Sequence, residues 1–142
     1  MNSISAFVGI AKNSTTKGVY SISVYAGGSV QTFPPKFVYA NNKVTDHLII
    51  LTALLDFLEG IKESDIGTPN LVFYSNNDKV KEEWDSFIKY GTFPLKTADL
   101  NLWDEIRGSL RGDLSIKGTG SMLVKLNAIQ DEKTKNALKG RR

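Results

Sequence analysis

The chemistry open to this chain is limited first by where its acids begin. The first carboxylate in 142 residues is Asp46. Beside it stands His47, the only histidine, and Asp131 lies far downstream. Carboxylate and imidazole both bind divalent metals, so Asp46, His47 and Asp131 together would make one small metal site if the fold gathered them. Each also has a plainer use. Asp46 suits a helix N-terminus, and a lone histidine in a first helical turn is most often a surface or half-buried residue. The acid-free first segment offers amides and ammonium groups instead: Asn13, Asn41, Asn42 and Lys43, joined later by Asn76 and Lys117. Such groups hydrogen-bond phosphate and sugar hydroxyls. Asparagines before a helix also make ordinary polar turns.

The charges are strongly partitioned. Residues 1–45 carry four lysines and no acid, residues 46–116 have a net charge of −6, and residues 117–142 one of +5. Two basic ends form a phosphate-attracting face only if they meet in space; otherwise they are solvated surface. With 41% hydrophobic and 23% charged residues, the composition is that of a globular protein with a core, and the length suits a single domain over residues 1–142. The absence of cysteine excludes disulfides and thiolate metal sites and suits a reducing compartment. No stretch is long and apolar enough for a membrane span, and the first residues lack the pattern of a secretory signal, so a cytoplasmic protein is expected.

Periodicity predicts the elements that must position these residues. Ser5–Ala11 reads as a buried strand and Gly18–Ala26 alternates as a second. Val30–Ala40 reads as a third, broken or bulged at Pro34-Pro35. Thr45 or Asp46 caps a helix whose apolar residues fall at Leu48, Leu51, Leu54, Leu55 and Leu58, ending between Gly60 and Asp65. Pro69–Tyr74 is a central apolar strand. Ser75 or Asn76 caps a second helix with Val80, Trp84, Phe87 and Ile88 inward. Leu100–Leu110 forms a third, with Leu102, Trp103, Ile106 and Leu110 inward, the two tryptophans reading as core rather than base-stacking residues. Leu114–Lys117 is a last strand and Leu123–Leu138 a last helix. The order is βββαβααβα: a meander followed by α/β crossovers.

That order, with local strings in sequence, resembles the ribonuclease H family over almost the whole chain. Gly18–Tyr25 is similar to the family's second strand, and Ala40–Lys43 to its asparagine pair before the helix that bears a catalytic glutamate. Phe73–Val80 is similar to the end of the fourth strand, Lys96–Asp99 with Leu102-Trp103 to the run into the third helix, Ile116–Gly120 to the turn after the fifth strand, and Asn127–Glu132 to the last helix with its acidic ligand. The resemblance implies a five-stranded mixed sheet, its first three strands antiparallel, with helices on both faces.

It also implies four carboxylates that hold two magnesium ions, and here the chain departs from the pattern. The strand-one position falls within Gly9–Ser14, which holds no acid. The helix-one position falls on His47 or Asp46, the strand-four position on Asn76, and only Asp131 matches outright. Amides cannot replace several carboxylates around magnesium. The expectation is therefore a catalytically degenerate ribonuclease H-like protein without a cofactor, binding nucleic acid (RNA or RNA/DNA hybrid) or serving in an assembly. By the resemblance Asn13, Asn41, Asn42, Lys43, Asn76 and Lys117 would touch nucleic acid. The alternatives are a protein-interaction scaffold, and a nuclease using magnesium or manganese at a site remodelled around Asp46, His47 and Asp131.

Overall fold

The computed structural model describes residues 3–12, 16–40, 43–64, 69–75, 77–93, 99–110, 113–118 and 136. Strand β1 (Ser3–Lys12) pairs antiparallel with β2 (Lys17–Ala26) and parallel with β5 (Asn70–Tyr74), so it lies inside the sheet rather than at an edge. β5 pairs parallel with β6 (Leu114–Lys117). The third strand of the meander is two short ones, β3 (Ser29–Thr32) and β4 (Lys36–Tyr39), each pairing antiparallel with a different part of β2. The sheet thus has six strands rather than five. The cause is Pro34-Pro35, which has no N–H to give to a ladder.

Helix α1 (Asp46–Ser64) covers one face of the sheet, with α2 (Asp78–Tyr90) and α3 (Leu100–Ser109) beside it. Of the two caps expected for α1, Thr45 is used: its Oγ1 accepts from the Leu48 N–H at 3.1 Å. α2 starts later than expected. Its N-cap is Asn77, whose side chain accepts from the Val80 N–H, while Ser75 Oγ accepts from the Asn77 N–H and forms the turn before it. Ile88, expected inward, is 64% exposed. It lies two turns past Val80 and has rotated off the stripe. Leu110 ends α3 as its C-cap. The last helix expected over Leu123–Leu138 lies outside the described residues.

Strand pairing sorts β1 and β2 into two faces. Ala6, Val8, Tyr20 and Ile22 join the core beneath α1. Phe7, Val19, Ser21 and Ser23 alternate with them and are buried too, so both faces of the sheet are covered. Tyr20 ties the sheet to α1 by donating to Asp56 Oδ2 at 3.1 Å, and Lys36 donates to both Asp56 oxygens. Burial, and then the Asp56 charge, push the Tyr20 hydroxyl far above its ordinary range, so it remains a donor.

Close approach of α1 to β2 depends on Gly18. A Cβ there would lie 2.5 Å from Ile49 Cδ1 and 2.9 Å from Val44 Cγ1. Gly18→Ala is therefore expected to destabilise the fold by about 1–3 kcal/mol through overpacking, measured as a shift in the urea midpoint with an unchanged slope.

Candidate functional site

Strands β1, β5 and β6 are parallel, and β4 joins them in direction because both it and β1 run antiparallel to β2. All four finish at one end of the sheet, and β2 begins there. In open α/β sheets this carboxyl end is where ligands collect. The topology brings Lys12 (the last residue of β1), Lys17 (the first of β2) and Lys117 (the last of β6) to it, with Lys43 in the segment leading from β4 into α1. Lys43 and Lys117 are exposed, and no described carboxylate pairs with either. Lys17 rests its ammonium 4.8 Å from the centre of the Phe37 ring. The acids Asp56, Glu59 and Glu63 lie further along α1, Asp56 about 15 Å from the helix start by its rise per residue.

Asp46 and His47, adjacent in sequence, face different partners. Asp46 lies 3.4 Å from the Lys12 ammonium, and both side chains are about half-exposed. His47 is 7% exposed and lodged between two helices. Its Nε2 lies 2.5 Å from Glu83 Oε1 on α2, and its Nδ1 lies 2.8 Å from Asp99 Oδ2 at the start of α3. The Trp103 indole N–H donates to the same Glu83 oxygen at 3.1 Å. Each ring nitrogen thus meets a carboxylate oxygen, one from each of two helices. Glu83 is 4% exposed, a carboxylate buried with its partners.

Asp99 shows what this arrangement demands of the backbone. It is the α3 N-cap, yet its φ of 57° lies in the left-handed region and its side chain makes no capping bond. Aspartate tolerates that conformation better than most residues. The carboxylate that would ordinarily cap α3 is turned to His47 instead. One imidazole thus links the first turns of α1 and α3 to the middle of α2, and fixes where Asp46 stands against Lys12.

The sequence-derived site residues therefore divide. Asp46 and His47 point to separate partners, Asp46 to Lys12 and His47 to Glu83 and Asp99. Among the described residues no group of three histidine or acidic side chains is arranged to hold a metal ion. Lys43 and Lys117 share the carboxyl end of the sheet. Asn13, Asn41, Asn42, Asn76 and Asp131 lie outside the described residues. Sequence reasoning missed Glu83, although the signal was present. Val80, Glu83, Trp84 and Phe87 occupy positions i, i+3, i+4 and i+7, which places the glutamate on the inward stripe.

No protein-family model matches the chain, and no curated protein sequence matches it. Solved structures do. LC11 ribonuclease H1 from a compost metagenome, solved in complex with an RNA/DNA hybrid, is 14% identical, with a TM-score of 0.67 over 95% of this chain and 99% of its own. Ribonuclease H1 of the halophilic archaeon Halobacterium salinarum is 13% identical, with a TM-score of 0.60 over 95% and 98%. The N-terminal ribonuclease H domain of rv2228c from Mycobacterium tuberculosis is 10% identical, with a TM-score of 0.66 over 95% and 94%. These likenesses establish the ribonuclease H-like fold.

Proposed function

We propose, from this ribonuclease H-like fold, that the chain is a non-catalytic module that binds nucleic acid, RNA or RNA/DNA hybrid, through the carboxyl end of its sheet. The observation that carries the reading is the charge at that end: Lys12 on the α1 face, Lys17 and Lys117 on the opposite face, and Lys43 after β4 border it, and Asp46 is already paired with Lys12. That a solved neighbour was captured with an RNA/DNA hybrid supports hybrid as the class of nucleic acid. The metal chemistry implied by the fold family does not fit the donors at this end, since β1 supplies no acid and ends in a lysine. A chain without cysteine, and with no described helix long and apolar enough to cross a membrane, suits the reducing cytoplasm.

The test is equilibrium binding to a short RNA/DNA hybrid across a salt series. Neutralising Lys43 and Lys117 together is expected to weaken binding to every sequence and to flatten the log–log salt slope by about two units, one per lost phosphate contact. Binding without salt dependence would sink the reading. A protein-interaction scaffold is then favoured by a groove of about 670 Å³ between β4 and α3. It is flanked by Tyr39 at 68% and Leu100 at 45% exposure.

A further inference from the structure

We propose that the Lys12 ammonium serves as a built-in cation at the carboxyl end of the sheet, holding a phosphodiester directly, so that binding there needs no divalent metal. This rests on the nucleic-acid reading above and names the group that recognises the ligand. Lys12 ends β1, opposite Gly18, on the face that carries α1. Its Nζ stands 3.4 Å from Asp46 Oδ1, and the two side chains are 40% and 53% exposed. An ammonium has three N–H donors, and a single contact at this distance leaves the others free for phosphate oxygens. Asp46, in the first turn of α1, is favoured there by the helix dipole and holds the flexible lysine stem toward the site.

The surroundings favour an anion over a second cation. The sequence between β1 and β2, β4 and α1, and β5 and α2 (residues 13–16, 40–45 and 75–77) contains no acid. Among the described residues the carboxylates that border this end are Asp46, paired with Lys12, Asp78 in the first turn of α2, and Asp99, whose carboxylate contacts His47. A divalent ion seeks several anionic oxygens, and here it would meet one paired carboxylate beside an ammonium of like charge. A phosphodiester meets the opposite balance, with Lys17 on the neighbouring β2 near this end of β1 to continue along its backbone.

The experiment measures the affinity of the full chain for a short RNA/DNA hybrid at constant ionic strength, once in EDTA and once in excess magnesium. Equal affinity in both media is expected, within about twofold. Lys12→Met is expected to weaken binding by about fivefold to tenfold and to lower the salt slope by about one unit, with Lys12→Arg restoring most of the loss. Asp46→Asn removes the competing carboxylate and is expected to tighten binding by about twofold. Since Lys12 is exposed, circular dichroism should show the variants folded. Binding that requires magnesium, Lys12→Met binding as the parent does, or weakening by Asp46→Asn would each overturn the metal-free site while leaving nucleic-acid binding intact. No binding in either medium would overturn both.

Discussion

Replacing His47 by alanine is expected to cost about 3–5 kcal/mol, because it leaves the Glu83 carboxylate buried with a single remaining donor among the described residues. That donor is the Trp103 indole N–H, shared at 3.1 Å with the oxygen that His47 also contacts. Asp99 is different: its side chain is 27% exposed and can turn to water, so its lost contact adds little. Urea unfolding gives the measurement. A double-mutant cycle with Glu83→Leu gives the control, since removing the stranded carboxylate should recover part of the loss. A His47→Ala variant within about 1 kcal/mol of the parent would show that Glu83 finds water, and that the cluster does not hold the helices together. The result bears on the ligand end as well, since His47 fixes the helix turn on which Asp46 meets Lys12.

The second large effect is expected at Trp103, which is fully buried. Its ring stacks on Trp84 at 5.8 Å and on Phe93 at 4.8 Å between centroids, in a cluster that Phe87 completes. Trp103→Ala should cost about 3–5 kcal/mol from lost burial and the remaining cavity. Trp103→Phe separates two contributions. It keeps an aromatic ring in the stack but removes the N–H to Glu83, and should cost about 1–3 kcal/mol. Against a total stability of about 5–15 kcal/mol for a domain, the alanine variant sits near unfolding at physiological temperature. Equal losses for the two substitutions would mean that the hydrogen bond to Glu83, and not the ring packing, dominates at this position.

How much of this was legible depended on the kind of signal. Alternation and apolar spacing placed β1, β2, α1, β5 and β6 within a few residues, because burial against a sheet imposes those periods on the sequence. Pro34-Pro35 announced the break in the third strand. The number of strands did not follow, because a bulge and a full interruption look alike in sequence. Capping was ambiguous wherever two polar residues preceded a helix: Thr45 and Asp46 both fitted α1, and Asn77 was passed over for its neighbours. Ile88, at i+8 from Val80, sits at the margin of the apolar stripe, where spacing alone does not decide burial. The candidate site was the least legible part. The contacts of Glu83 to His47 and of His47 to Asp99 span 36 and 52 residues, and no local pattern couples positions so far apart. Which face each of Lys12, Lys17 and Lys117 takes followed only once strand pairing was known.

The divided outer margin of the sheet has a consequence for how the molecule behaves in a crowded solution. β3 and β4 each offer only four residues, with Phe33-Pro34-Pro35 between them and an ion-paired Lys36 opening the second. An invading strand from another copy would find short runs of hydrogen-bonding backbone interrupted by two residues that cannot donate. Short, charged, proline-broken margins are how natural sheets resist growing into fibrils, and β3 requires it, since all four of its residues are exposed and Val30 is 57% so. The prolines that deny the meander a full third strand also shorten this edge for any strand that would pair with it.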